Sequence, residues 1–300
     1  MFVQYGVRLY LVLIPIAGLG WLVYACRWRL LLQPLGLKPP FRELVADSLV
    51  GLFFGLFIPT GLTGDAMRAF RLGRRHDALR RTFVSVVLDR VVSLVSVMLL
   101  FGIQAARSGS TWRGVRLSWA GWAVLAALVM GAALVLVGRD LSDRRPVVRT
   151  RRWKMGGWLE RWPFSWLLRQ VGQLWDIAGE YARARRLVGL SLGVSVVYQL
   201  VVTSAYFVGG TMLGIEVAFG DYVWIVAFVM MAQVLPITIA GIGVREGLFA
   251  FLLGQYGVPT TTAVALSLVV FSVTLLFGIV GGILGLVSDT GLASGDLAPD

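Results

Sequence analysis

The chain has 300 residues, 57% of them hydrophobic and only 15% charged, with a formal net charge of +12 and a mean hydropathy of +0.78. That apolar share exceeds what an ordinary soluble domain carries and marks a multi-spanning membrane protein. Lys38 and Lys154 are the only lysines, so the positive charge is almost entirely arginine. In so apolar a chain arginine sets topology and meets anionic headgroups, and without a recognition motif nucleic acid is not expected as a partner.

A single cysteine, Cys26, forms no internal disulfide, and a single histidine, His76, supplies no metal cluster. Neither metal nor cofactor is expected. Cys26 reads as membrane packing and His76 as a solvated loop residue.

A helix needs about 20 apolar residues to cross the hydrocarbon core, so run lengths separate spanning from non-spanning segments. Leu9 to Leu32 passes, and it is too long and too rich in Trp and Tyr for a signal peptide. The next run, Leu49 to Pro59, has only about eleven residues before Gly61 and Gly64, the length of a re-entrant piece. Thr82 to Ala106 and Leu117 to Val137 are again long enough to span. Trp153 to Arg186 then carries Trp158, Trp162 and Trp166 among charges, the pattern of amphipathic helices at the cytoplasmic interface. After the span Leu187 to Leu213, the run Tyr222 to Ala240 is interrupted by Pro236 and followed at once by Gly241, Gly243, Arg245 and Glu246. Thr262 to Val287 closes the series.

This predicts an all-α polytopic membrane bundle with two broken re-entrant hairpins, within a single transmembrane domain over 1–300. Residues 1–138 form a first half with its hairpin near 49–75. Residues 139–186 are the cytoplasmic interfacial segment, and 187–300 a second half with its hairpin near 222–256.

Basic residues assign the sides. Arg27, Arg29, Lys38 and Arg42, then Arg71, Arg74, Arg75, Arg80 and Arg81, then Arg139 to Arg186, belong in the cytoplasm. Residues 214–221 and 258–263 carry no Lys or Arg and belong outside. These sides agree with five spans if each hairpin leaves the membrane where it entered, which puts the link holding Arg107, Arg113 and Arg116 outside against its charge.

The two broken segments match each other. PTGLTGDAMR, from Pro59 to Arg68, and PITIAGIGVR, from Pro236 to Arg245, share P-x-x-x-x-G-x-x-x-R with Gly64 opposite Gly241. By the derived topology one opens to the cytoplasm and the other outside, the plan of an inverted repeat whose interrupted helices form a midplane site. Pro59, Gly61 and Pro236 break the helices, leaving free N–H groups and a positive dipole end. Arg68 and Arg245 add full charges there, at a cost of at least about 2.5 to 3.5 kcal/mol each in mid-membrane, which points to function and to a phosphate as the guest. Asp65 is either an N-cap for AMRAFRLG or a partner for an arginine or for coupling. Glu246 either offsets Arg245 or carries a proton.

Asp89 and Arg90 lie well inside an apolar run. Ser85, Asp89, Ser93 and Ser96 fall within about 80° on one helical face, and Ser191, Ser195, Gln199 and Thr203 make a comparable stripe. Such faces line a polar cavity or join helices. Gly278/Gly282 and Gly281/Gly285 give two G-x-x-x-G spacings suited to close packing.

IPTGLTGDAMRAFRLGRR, VVLDRVVSL and LPITIAGIGVREGLFAFLL together resemble the transmembrane flippase region of the lysylphosphatidylglycerol synthase superfamily, over roughly Leu9 to Ser288. The resemblance implies a prokaryotic cytoplasmic-membrane protein that moves anionic, aminoacylated or polyprenyl-linked lipids between leaflets. It places a G-D-x-x-R motif on Gly64, Asp65 and Arg68, a D-R pair on Asp89 and Arg90, and G-x-G-x-R-E on Gly241, Gly243, Arg245 and Glu246. The soluble aminoacyl-transferase domain of full synthases does not follow the last apolar run, and the extra N-terminal hydrophobic segment of many relatives does not precede the first.

The function expected is a flippase or scramblase for an anionic phospholipid or polyprenyl-phosphate lipid. Two alternatives are a non-transporting partner of a lipid-modifying enzyme and a membrane enzyme acting on lipid phosphate. No Ser/His/Asp set, metal motif or nucleotide loop accompanies the arginines, so enzyme activity is not expected. A homo-oligomer or an enzyme partner is compatible with the sequence.

Overall fold

The structure, a computed structural model, describes residues 2–58, 63–107, 180–181, 183–233 and 241–293. Among these residues the regular structure is all helical, without strands. The chain forms α1 (Phe2–Leu32), α2 (Phe41–Phe57), α3 (Thr63–Arg75) and α4 (Leu79–Arg107), then α5 (Arg185–Met212), α6 (Phe219–Ala232), α7 (Val244–Gly254) and α8 (Thr260–Ala293). The span expected at Leu117 to Val137, the interfacial segment with Trp158, Trp162 and Trp166, and Pro59, Gly61 and Pro236 lie outside the described residues.

Four helices are long and apolar enough to cross a membrane, over Gly6–Leu35, Leu79–Gln104, Arg185–Met212 and Thr260–Ser288. The other four are short. The longest, α2, has 17 residues, about 26 Å at 1.5 Å per residue, below the ~30 Å of a hydrocarbon core.

Local chemistry explains the boundaries. A 3₁₀ turn, Gln33–Leu35, ends α1 and is capped by Gly36 in the left-handed region (φ 73°). Pro39 and Pro40 hold the next residues extended, and α2 starts directly after them. At its far end Ile58 is extended (φ −108°, ψ 118°), as the residue before a proline should be. The apolar run that begins at Leu49 is thus the second part of a longer helix, not a separate piece.

Packing relates the first four helices to the last four. α1 lies against α5, α2 against α8 and α4 against α6, while α2–α3–α4 and α6–α7–α8 form consecutive contacts. Exchanging α1 with α5, α2 with α6, α3 with α7 and α4 with α8 turns each packed helix pair into another packed pair.

Close approaches hold these pairs. A Cβ on Gly51 would sit 2.6 Å from the carbonyl oxygen of Gly64, so α2 and α3 touch through backbone. Gly278, Gly281 and Gly282 of α8 meet Leu56, the Leu49 carbonyl and Phe53 of α2, the close packing that their spacing predicts. Around α6 the core closes on all sides, with Tyr222 to Ala227 and Val229 buried against Phe249, Leu252, Leu253, Ala263 and Leu266.

Outside the site, Arg71 and Arg75 both pair with the fully buried Asp47 on α2, and Arg71 also reaches Ser288 at 2.5 Å. These arginines therefore pin α3 to α2 and α8 as well as adding to the basic flank. His76 lies in the turn after α3 and is exposed, as a solvated loop residue should be, with its ring 3.2 Å from Glu43.

Candidate functional site

Arg68 lies in the first half of α3 and is 2% exposed. Its Nε donates to Asp65 Oδ1 at 3.0 Å, and its Nη2 lies 2.8 Å from both Asp65 Oδ1 and Asp89 Oδ2. The guanidinium sits over the rings of Trp28 and Tyr24, with Cζ at 4.9 and 5.1 Å from their centroids. Nη1 is buried and has no hydrogen-bond partner among the described residues.

Asp89, 1% exposed in the middle of α4, is shared. Arg27 of α1 clasps it with two parallel bonds, Nε to Oδ1 at 2.6 Å and Nη2 to Oδ2 at 3.0 Å. Arg27 Nη1 donates to Ser195 Oγ at 3.0 Å, and Ser195 hydrogen-bonds Ser96 at 2.8 Å. The two predicted polar stripes therefore face one another, with Ser85, Asp89, Ser96, Ser191, Ser195, Gln199 and Thr203 all buried. Arg90, adjacent to Asp89, points away to the rim and pairs with Asp65.

Asp65 lies inside α3, which starts at Thr63, so it is an ion-pair partner of Arg68 and Arg90 rather than a cap preceding the helix. Arg27 is the larger correction. Grouped by sequence with Arg29, Lys38 and Arg42 as a topology signal, it is instead buried in the interior. One signal marks it: Tyr24, Arg27 and Trp28 have i, i+3, i+4 spacing within the apolar run, which puts them on one helical face.

In the other half, Arg245 stands in the first turn of α7 and is also buried. Nη2 donates to Glu246 Oε1 at 2.6 Å, Nε to Ser267 Oγ at 3.1 Å, and Cζ sits 4.2 Å from the Phe271 centroid. Glu246 Oε2 accepts from the backbone N–H of Gly243 at 2.6 Å, closing the helix N-terminus. Gly241 and Gly243 have φ of 75° and 89°, the left-handed region that favours glycine. Gly64, opposite Gly241 in the repeat, is helical and serves close packing on Gly51 instead.

A cavity of about 240 Å³ opens between the halves, walled by aliphatic side chains of α1, α5, α6 and α8. Tyr198, Tyr206, Gln233, Thr274 and Arg245 supply its polar groups, and Arg245 is the only charged residue among the described residues that line it. Arg68 is not among them. Tyr198 connects the two regions, lining the cavity while its ring lies 5.5 Å from Arg27 Cζ. Among the described residues no group of acidic, histidine or cysteine side chains is arranged to hold a metal.

The family model of the lysylphosphatidylglycerol synthase TM region matches residues 3–282. The chain belongs to this family. It is a multi-pass membrane protein, in keeping with the four apolar helices and the buried arginines between them. No curated protein and no solved structure gives a match to it. The match runs from α1 into α8 and so includes both arginine sites of this family member.

Proposed function

We propose that this protein moves an anionic lipid between the leaflets of a prokaryotic cytoplasmic membrane, as a flippase or scramblase and not as an enzyme. The observation that carries the reading is one buried arginine in each half, near the start of a short helix, within helices that pack by a two-fold exchange rule. Interrupted helices paired in this way suit an inverted repeat that rocks about a central site. Arg245 on the cavity meets the phosphate, aliphatic walls accept the start of the acyl or prenyl chains, and Arg68, sealed behind Tyr24 and Trp28, serves when the other side opens. Each arginine is worth roughly one charge-assisted hydrogen bond to a phosphate, about 1.5–3 kcal/mol or at least tenfold in binding.

Purified protein in liposomes with fluorescent anionic phospholipid or polyprenyl phosphate should speed leaflet exchange, and Arg68→Ala and Arg245→Ala should each slow it by about tenfold or more. Exchange unaffected by both substitutions would remove the arginines from the pathway. No exchange with either lipid would favour a partner that presents lipid to an enzyme.

A further inference from the structure

The cavity between the halves lies behind one weakly closed wall. At about 240 Å³ it is below the roughly 300 Å³ at which pockets for whole ligands begin, so it holds a headgroup and the start of a chain but no complete lipid. Each methylene drawn from hydrocarbon into water is penalised, so the rest of the chain has to reach the bilayer through the side of the bundle. Most helix pairs around the cavity leave no such passage. Gly281 and Gly282 bring the backbone of α8 against α2, and Leu266 of α8 closes on Gly209 and Gly210 of α5. α1 packs broadly on α5, its Ala25 and Trp28 join Leu44 of α2 in one core cluster, and α6 is enclosed. The α1–α8 pair differs. Ala17 of α1 and Val270 of α8 both line the cavity, yet the two helices meet only along a narrow strip, with Leu9 and Leu13 beside Val273. A Cβ on Gly18 would lie 3.6 Å from the Phe277 ring, ordinary contact without interlocking.

On the exposed side of this strip the Tyr10 hydroxyl lies 2.7 Å from Ser272 Oγ. Ser272 already donates to the Val269 carbonyl at 2.7 Å, so Tyr10 is the donor, and this is the one side-chain hydrogen bond between α1 and α8 among the described residues. Leu11 and Leu19 on α1 and Leu268 and Leu276 on α8 are exposed, so among the described residues both helices present hydrocarbon to the bilayer. The exchange that relates the halves turns the α1–α8 pair into the α5–α4 pair. There the join is a buried Ser96–Ser195 bond at 2.8 Å, with Arg27 donating to the same Ser195. One of two equivalent joints is thus sealed from within, and the other is held by a single hydroxyl outside a cavity.

We propose that the α1–α8 joint is the side opening through which the hydrocarbon chain of the lipid passes between cavity and bilayer, with the Tyr10–Ser272 bond as its latch. Opening gives up only the bond from Tyr10, because Ser272 keeps its bond to Val269. The α4–α5 joint takes the same part when the bundle rocks to its other state. The inference rests on the transport reading and adds to it the route of the chain.

The test uses liposomes holding the protein and phosphatidylglycerol with a photoactivatable diazirine in the first methylenes of one chain. Cavity-facing Ala17 and Val270 should be labelled as well as lipid-facing Leu19 and Leu276, and absence of label at the first pair would overturn the proposal. Arg245→Ala should reduce label at Ala17 and Val270 by about tenfold or more. Label there that is indifferent to Arg245 would support the opening while removing this arginine from headgroup binding. In a Cys26→Ser background, Tyr10→Cys/Ser272→Cys joined by a short bifunctional methanethiosulfonate should slow leaflet exchange at least about tenfold, with recovery on reduction. The same reagent on either single cysteine should not. Label at Ala17 and Val270 should fall in the joined protein too, which a mere block on rocking would not produce. Undiminished exchange in the joined protein would overturn the opening. Tyr10→Phe keeps the ring and should speed exchange about two- to tenfold, the worth of one hydrogen bond. A merely structural bond predicts slower exchange with a lower unfolding midpoint, and that result would overturn the latch. If the double-cysteine protein fails to fold, labelling and Tyr10→Phe decide. Label at Ala17 and Val270 without exchange in any form would remove transport and leave the opening.

Discussion

The two halves place the same sequence motif in different surroundings. Arg68 donates to a carboxylate 21 residues further on, Asp89. Arg245 donates to a hydroxyl 22 residues further on, Ser267. In the first half the carboxylate recruits Arg27 from α1, and the result is a closed ionic cluster away from the cavity. In the second half Glu246 is the charged partner of Arg245 among the described residues, the pair is neutral, and the arginine borders open space. A register match thus conserves where a charge enters the bundle, while one residue on the next long helix decides whether it is sealed in or presented.

Breaking the sealed cluster should have the largest effect. Asp89→Leu leaves Arg27 and Arg68 buried without their shared counter-ion, and about 3–5 kcal/mol of stability should be lost. Thermal unfolding in detergent would register this, and an unchanged midpoint would mean that the two halves do not differ as described.

Next comes the backbone contact. Gly64→Ala drives a Cβ into the Gly51 carbonyl and should cost about 1–3 kcal/mol. Its repeat counterpart, Gly241→Ala, meets the flexible Gln233 side chain at 3.0 Å as its nearest neighbour among the described residues and pays about 1 kcal/mol for a left-handed φ. Equal losses on unfolding would erase the distinction between a packing glycine and a conformational one.

Ser267→Asp makes the second half resemble the first by giving Arg245 another carboxylate. Phosphate-lipid affinity at the cavity should fall by about tenfold while the Arg68 cluster is unaffected. Unaltered affinity would take Arg245 out of headgroup binding. The smallest change is expected from Arg90→Gln. Its side chain is 50% exposed at the rim, so its pair with Asp65 is worth no more than about 1 kcal/mol, and a larger shift in the unfolding midpoint would show that the rim belongs to the buried network.

Much of the architecture is written locally. Runs such as Thr262 to Val287 exceed a bilayer's thickness, and a run that breaks at Pro59 or meets Gly241 and Gly243 does not, because solvent and backbone geometry act on neighbouring residues. The faces carrying Ser85, Asp89 and Ser96, and Ser191 and Ser195, follow from helical period for the same reason. The chain by itself therefore determined an all-helical membrane protein, its family, and two buried arginines placed by a repeated motif.

Which charges meet was decided only by the tertiary structure. Arg27 and Asp89 are 62 residues apart, and Arg27 and Ser195 168 apart, so no local pattern couples them. Next to Arg29, the residue has the appearance of a headgroup-facing arginine. It becomes an interior one because α1 packs against both α4 and α5, and inside a low-dielectric bundle a carboxylate captures whichever guanidinium the packing brings within reach.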